Sequence, residues 1–131
     1  MATIKSYTDI EQSKKLAEIL PLESADMHYC LEKRDVATGY EIGIVPFIQA
    51  RRFKCKCNII IDVNPAWSLS ALLSVLPKID NYRLEIRHID KVYCCCYTEE
   101  NNVGDLYWYY ADNPIDACVA MIEKLHELKM L

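Results

Sequence analysis

Three stretches of the chain place apolar residues at the three- and four-residue spacing of an amphipathic helix. The first stretch follows Thr8, which lies three residues before Glu11 as in a capping box, and Pro21 ends it. The second and third stretches each follow an Asn-Pro pair, which suits a helix start because asparagine caps the helix and proline fits its first turn. We therefore predict that Asn64 and Asn113 cap the second and third helices.

Six further stretches favour β-strands, because apolar and polar residues alternate along them or β-branched and aromatic residues are dense. They cover residues 27–32, 40–47, 53–61, 82–88, 92–98 and 105–110. Gly43 and Pro46 weaken the second strand. The last three strands are joined by short connections, which favour an antiparallel meander. We predict a single α+β domain over residues 1–131, with an antiparallel, meander-like sheet and about three helices packed mainly on one face.

The pairing of the last three strands decides which side chains share a sheet face. If His88 pairs with Val92 across the short turn, and Tyr97 pairs near Tyr107, even-numbered residues align throughout the meander. The even positions are rich in apolar residues and are predicted to face the helices: Leu84, Ile86, His88, Val92, Cys94, Cys96, Leu106, Trp108 and Tyr110. The odd positions then form an open face with these candidate contact residues: Arg83, Arg87, Tyr93, Tyr97, Tyr107 and Tyr109. A shift of one residue in register would change this assignment.

A sheet face rich in arginine and tyrosine has the composition of a protein interface, where both residue types are enriched. It also resembles a stacking platform for single-stranded nucleic acid, in which Arg83 and Arg87 would contact phosphates. A third interpretation is that the tyrosines only stabilise an exposed sheet, by about 0.2–1 kcal/mol per cross-strand pair. The net charge of −4 disfavours the nucleic-acid alternative, because non-specific binding depends on excess positive charge.

The few glycines of the chain argue against common cofactor sites. A dinucleotide fingerprint or a phosphate loop needs several glycines in one turn, and this chain has only Gly39, Gly43 and Gly104. The motifs Gly-x-Ser-x-Gly and His-Glu-x-x-His are also absent. These absences exclude particular enzyme families rather than all catalysis. We predict no cofactor and no catalytic residue.

Seven cysteines raise the question of a disulfide framework or a metal site. Their odd number and the three consecutive cysteines argue against disulfides. Zinc sites normally use Cys-x₂₋₄-Cys, whereas the i, i+2 cysteines here would diverge by about 6–7 Å on a strand. We predict no metal site, and only Cys95 is a candidate for exposure. Buried free thiols are predicted at Cys55, Cys57, Cys94, Cys96 and Cys118.

The expected location of the protein is the cytoplasm. The first residues lack the apolar segment of a secretory signal, and no stretch has the length needed to cross a bilayer. Free cysteines also suit a reducing compartment. We therefore expect no membrane contact.

Three runs of the sequence carry a resemblance to a known group of proteins. Residues 10–21 (IEQSKKLAEILP), 65–73 (PAWSLSALL) and 113–118 (NPIDAC) resemble segments of small uncharacterised proteins encoded in gut-bacterial genomes and their prophages. The resemblance covers most of the chain except residues 28–60, and it implies no activity. It implies a cytoplasmic accessory protein of mobile-element origin.

The combined expectation is a non-catalytic interaction or accessory module, whose open sheet face meets a protein partner or a second copy in a homodimer. The alternative is a small protein that binds single-stranded nucleic acid through the same face. A thiol- or metal-dependent enzyme has the least support.

Overall fold

The computed structural model describes residues 5–36, 39–48, 59–101 and 104–131, with side chains described for residues 5–29, 64–101 and 104–131. The elements in chain order are α1 (Ile10–Ile19), β1 (Met27–Val36), β2 (Gly39–Ile48), β3 (Ile59–Ala66), α2 (Leu69–Val75), β4 (Tyr82–Ile89), β5 (Val92–Glu99), β6 (Asp105–Ala111) and α3 (Pro114–Glu127). A short 3₁₀ turn (Leu22–Ser24) links α1 to β1. The predicted α+β class is confirmed.

Within the described residues, the strands form two three-stranded antiparallel sheets, where the sequence analysis expected one. In the first sheet β1 lies between β2 and β3, and in the second sheet β5 lies between β4 and β6. The predicted meander is confirmed for the second sheet. Pro46 lies in β2, an edge strand of the described sheet, where a missing hydrogen-bond donor is tolerated. The predicted strand over 53–61 falls partly outside the described residues, and its described part begins β3.

A two-residue turn joins β4 to β5. Asp90 and Lys91 have φ values of 49° and 75°. Positive φ at both central residues is typical of the type I′ turn, whose twist matches that of the flanking strands. The turn pairs Ile89 with Val92, so the prediction that His88 pairs with Val92 is wrong by one residue.

The corrected register changes the relation between the strands of the second sheet. Even residues of β4 align with odd residues of β5, as in the pair formed by His88 and Tyr93. The predicted pairing of Tyr97 with Tyr107 is confirmed, so odd residues of β5 and β6 do align. The predicted division into faces is therefore right for β5 and for residues 107–110 of β6, but wrong between β4 and β5. A register shift between Tyr97 and Thr98 also places Asp105 on the same face as Trp108.

The main core lies between the three helices and one face of the second sheet. Its largest fully buried members include Trp67, Tyr97, Leu16, Leu72, Ile115, Met121, Ile122 and Leu125. Leu84 and Ile86 pack against this core as predicted. The first sheet contributes a second, smaller cluster, formed by Met27, Tyr29 and Ala66. Within the described residues, none of the helices has the length and apolarity to span a bilayer.

The two Asn-Pro pairs behave differently. Asn113 caps α3 as predicted, and its side-chain oxygen accepts a hydrogen bond from the Asp116 backbone N–H at 2.8 Å. Asn64 instead lies in β3, so its predicted capping role is wrong. Ser68 caps α2, and its hydroxyl accepts from the Ala71 backbone N–H at 3.2 Å. The ladder with β1 continues through the Asn-Pro pair to the end of β3, which delays the helix start.

The capping box of α1 lies one residue later than predicted. The Asp9 carboxylate accepts from the Gln12 backbone N–H at 2.8 Å, and the Gln12 side chain accepts from the Asp9 backbone N–H at 3.1 Å. Thr8 is buried instead, and its hydroxyl hydrogen-bonds the Ser13 hydroxyl at 2.7 Å. The same oxygen accepts from the Trp67 backbone N–H at 3.1 Å, which ties the start of α1 to the segment before α2.

Lys5 joins the N-terminal ends of α1 and α3. Its ammonium donates to Asp116 at 2.7 Å, to Gln12 at 2.8 Å and to Asp9 at 3.1 Å. Burial acts to raise the pKa of Asp116, but hydrogen bonds from Lys5, Gln12 and Asn113 outweigh it and hold that pKa below its ordinary value. The positive ends of both helix dipoles further favour carboxylates at this junction.

We expect Asn113→Ala to lower the free energy of unfolding by about 0.5–2 kcal/mol, because α3 loses its side-chain cap. Chemical denaturation measures the change. Asn64→Ala is the matched control, since it alters the other Asn-Pro pair without removing a helix cap. An equal loss in both variants would contradict the capping role of Asn113.

The ion pairs of Lys5 predict that the free energy of unfolding depends on pH in the acidic range. A carboxyl whose folded pKa is lowered stabilises the fold above its unfolded pKa of about 3.9, and this contribution disappears as the pH falls through the folded pKa. We expect Asp116→Asn to be less stable than the wild type at pH 7 by about 0.2–1 kcal/mol, given its partial exposure. The difference should shrink in urea titrations below about pH 4. A difference that stays constant from pH 7 to pH 2 would contradict the prediction.

Candidate contact surface

The face of the second sheet that points away from the helices is called the outer face here. The strand register places these residues on it: Arg83, Glu85, Arg87, Ile89, Val92, Cys94, Cys96, Thr98, Asp105, Trp108 and Tyr110. Side-chain contacts from Arg87 to Thr98 and Asp105 cross all three strands on this side of the sheet. The outer face is thus a continuous surface built from β4, β5 and β6.

Two exposed aromatic side chains dominate the β6 side of the outer face. Trp108 is 54% exposed and Tyr110 is 59% exposed. They are two residues apart on one strand, so their side chains share a face about 6–7 Å apart. Tryptophan is highly buried on average, as Trp67 is here. Neighbouring exposed apolar residues of this size are typical of a contact surface.

An ion-pair network covers the β4 side of the outer face. The Arg87 guanidinium donates to both Asp105 carboxylate oxygens at 3.1 and 3.2 Å and to Glu85 at 2.9 Å. Arg83 donates to the other Glu85 oxygen at 2.6 Å. The Thr98 hydroxyl accepts from Arg87 and donates to Asp105.

These contacts hold the network in its ionised form. Hydrogen bonds from Arg83 and Arg87 hold the pKa of Glu85 below its ordinary value. Hydrogen bonds from Thr98 and Arg87 likewise lower the pKa of Asp105. Hydrogen bonds to Asp105 and Glu85 raise the pKa of Arg87, with Asp105 contributing most. Both carboxylates are therefore already engaged by arginines of the same molecule.

Small residues form the floor of the outer face. Cys94 and Cys96 lie on the central strand and are only 1% and 0% exposed. Cys96 lies opposite Glu85 on one side and Trp108 on the other, and these larger neighbours flank it. Burial raises the pKa of the Cys96 thiol to about 11. Charged side chains on one side and aromatic side chains on the other thus cover the thiols of the central strand.

The core side of β5 carries a second thiol pair. Cys95 and Cys118 are both fully buried, and a hydrogen bond between them together with burial raises the pKa of Cys95. Cys95, the one thiol that the sequence left as a candidate for exposure, is therefore buried. Burial as free thiols is confirmed for Cys94, Cys96 and Cys118. The other two thiols predicted to be buried lie outside the described residues: Cys55 and Cys57.

The six residues predicted to form one contact surface do not share a face. Arg83 and Arg87 lie on the outer face, as the contacts above establish. The others lie on the side that faces the helices: Tyr93, Tyr97, Tyr107 and Tyr109. The two-residue turn causes this separation, because it aligns odd residues of β5 with even residues of β4. Any binding role of the six residues stays a prediction.

The four tyrosines have different surroundings. Tyr97 is 1% exposed, its hydroxyl donates to the Pro77 carbonyl at 2.7 Å, and burial raises its pKa to about 12. Tyr107 and Tyr109 are half-buried against the core. Tyr93 stacks on His88 with ring centroids 4.2 Å apart. Tyr97 is thus a core residue.

Sequence reasoning missed the aromatic pair of the outer face, because it assigned Trp108 and Tyr110 to the core. The signal that identifies them is the two-residue interval between Ile89 and Val92. Two-residue loops are the commonest hairpin connections, and such a loop pairs the residues that flank it.

A small groove lies beside the N-terminal segment. It has a volume of about 200 Å³ and is lined by Lys5, Ser6, Tyr7, Asp9 and Tyr29. Its two ionic groups contact each other at 3.1 Å, and the ammonium also bonds Asp116. The rings of Tyr7 and Tyr29 meet edge to face with centroids 6.1 Å apart. Its polar groups therefore serve the helix junction.

Comparison with known proteins adds no identification. No family model matches the chain, and neither a curated protein nor a solved structure is significantly similar to it. In the part of the chain that the structure describes, no group of three or more His, Cys, Asp or Glu side chains is placed to hold a metal ion. Any functional assignment must therefore come from the chemistry of the chain itself.

The burial of the four described thiols predicts slow modification. At pH 8 in native protein, we expect the residues of the Cys94–Cys96 run and Cys118 to react with iodoacetamide at least about tenfold slower than in urea, because burial blocks the reagent at all four sites. The raised pKa values of Cys95 and Cys96 also disfavour the reactive thiolate at these two sites. Peptide mapping by mass spectrometry resolves these sites from the other cysteines. Rapid native modification of Cys95 would contradict its position in the core.

Proposed function

We propose that this protein is a non-catalytic interaction module that contacts another protein molecule through the β6 side of its outer face. The observation that carries the proposal is the exposure of Trp108 and Tyr110 beside a charge network that is already paired. An aromatic centre with a polar rim has the anatomy of a protein interface. Tryptophan, tyrosine and arginine are also the residue types that dominate binding energy at such interfaces.

The charges of the outer face favour a protein over a phosphate backbone. Two arginines and two carboxylates lie on the three strands of this face, so its formal charge is balanced. A phosphate would have to displace Glu85 or Asp105 from Arg87, and the negative protein as a whole would oppose its approach. A protein surface can pack against this face without breaking the ion pairs of Arg87.

The occupant we propose is a second copy of this chain. A two-fold axis brings the same patch of both molecules together, so the patch must tolerate its own charge. A balanced outer face meets this condition, because two copies of it present no excess of like charge to each other. An accessory role in the cytoplasm and a mobile-element origin complete the proposal, following the resemblance of the sequence.

Single-stranded nucleic acid is the second candidate occupant. The spacing of Trp108 and Tyr110 suits the stacking of successive bases, with Arg87 nearby. A fluorescent oligonucleotide tests it by salt titration, since phosphate contacts make affinity fall steeply with salt. Asp105→Asn would then strengthen binding by freeing Arg87 from its carboxylate partner. Absence of binding at low salt would exclude this candidate.

The own-copy contact predicts a concentration-dependent dimer that depends on the aromatic pair. In sedimentation equilibrium, we expect Trp108→Ser to weaken the dimer by about thirtyfold, as truncation of an interface hot spot does. Leu22→Ser is the matched control, because Leu22 is 61% exposed but lies in the turn that contacts α2, on the helix side. Circular dichroism establishes that both variants are folded.

Tryptophan fluorescence provides an independent measurement. Trp67 is fully buried, so quenching by acrylamide reports mainly on Trp108. Quenching should decrease as the wild-type protein is concentrated and remain low and constant in Trp108→Phe. A wild-type chain that stays monomeric, with unchanged quenching at millimolar concentration, would contradict the own-copy contact.

A further inference from the structure

β6 is an edge strand of the second sheet, and its outer edge has backbone groups that another strand could pair with. β6 pairs with β5 on one side, and within the described residues no strand pairs with it on the other. α3 contacts β6 from the helix side of the sheet, where Tyr107, Tyr109 and Ala111 pack against the core. The backbone donors and acceptors on the outer edge are a template for another strand.

The two edge strands of this sheet differ in how they are protected. β4 carries Arg83, Glu85 and Arg87, and charged side chains are a common protection of an edge against pairing. β6 has a charge only at its first residue, Asp105. The remaining run, Leu-Tyr-Trp-Tyr-Tyr-Ala, contains no charge, proline or glycine. It is the more pairing-prone of the two edges.

We propose that β6 pairs antiparallel with β6 of a second copy, which joins the two second sheets into one six-stranded sheet. This inference rests on the proposed function and names the geometry by which the aromatic pair reaches its partner. An antiparallel arrangement places Asp105 near Ala111 of the second copy, whereas a parallel arrangement would place two carboxylates side by side. The position of this single charge therefore selects the antiparallel form.

The register follows from the length of the strand. β6 has seven residues, and the longest ladder, with the exposed Trp108 beside its copy, forms when the two-fold axis passes beside this central residue. The irregularity between Tyr97 and Thr98 then affects only the Asp105 end of that ladder. Residues directly opposite each other in an antiparallel pair point to the same face. Trp108 then lies beside Trp108 of the second copy, and both outer faces lie on one side of the joined sheet. The exposed area of Trp108 decreases on pairing.

Engineered cysteines test this register. Opposed residues of an antiparallel pair have Cα atoms about 4.5–5.5 Å apart, within disulfide range. Trp108→Cys should form a covalent dimer on slow, mild oxidation of the concentrated full chain, because the disulfide traps the paired state even though loss of the indole weakens the dimer about thirtyfold. Tyr110→Cys should not, because it and its copy are four residues apart along the ladder, or about 13 Å. Arg83→Cys on β4 should not cross-link either.

The oxidised wild-type chain gives the background from the native cysteines, and reduction should reverse the cross-link. If Tyr110→Cys cross-links as much as Trp108→Cys above that background, the proposed register is overturned. If Arg83→Cys cross-links as much as Trp108→Cys, pairing through the edge of β6 is overturned.

Amide hydrogen exchange tests the pairing in unmodified protein. We expect amides within residues 105–111 to exchange at least tenfold more slowly in concentrated than in dilute protein, while those of β4 change little. Unchanged exchange in β6, with a dimer that still depends on Trp108, would overturn edge pairing and leave the proposed function standing. A monomer at all concentrations would overturn both.

Discussion

The two-residue turn at Asp90 and Lys91 sets the chemistry of both faces of the second sheet. Both residues have positive φ, a conformation that costs roughly 1–2 kcal/mol for a side chain such as lysine. The cost is offset because this turn type matches the twist of the strands and starts the ladder at Ile89 and Val92. Every cross-strand contact between β4 and β5 then follows from that first pair.

Local signals were sufficient to predict the elements of this fold but not their faces. Leu84 and Ile86 alternate with charged residues, so their side of β4 follows from the sequence alone. β5 is apolar on both sides over most of its length, so its pattern does not choose a face. Its orientation depends on the turn, and Asp-Lys lacks the glycine that usually marks this turn type. The aromatic pair on β6 was misplaced for this reason.

Long-range pairing also explains why identical dipeptides have different roles. Asn113 follows the last strand of its sheet and is free to cap α3. Asn64 is held in the ladder opposite Tyr29, and pairing continues to Met27 and Ala66. A helix cap stabilises a protein by about 1 kcal/mol. The continuous backbone pairing between β1 and β3 outweighs this contribution at Asn64. Ser68, the first suitable residue after the ladder, becomes the cap.

Because the charges of the outer face are paired within one molecule, they limit the electrostatic contribution to the free energy of any contact there. Arg87 already satisfies Glu85 and Asp105 within one molecule, so a partner adds little electrostatic energy there. Two copies that each carry a net charge of −4 also repel at long range, although physiological salt screens this repulsion beyond about 8 Å. The favourable term must therefore come from the removal of Trp108 and Tyr110 from water, and from backbone groups along β6 that find new partners. Added salt would then strengthen such a contact, the opposite of its effect on a contact with phosphate.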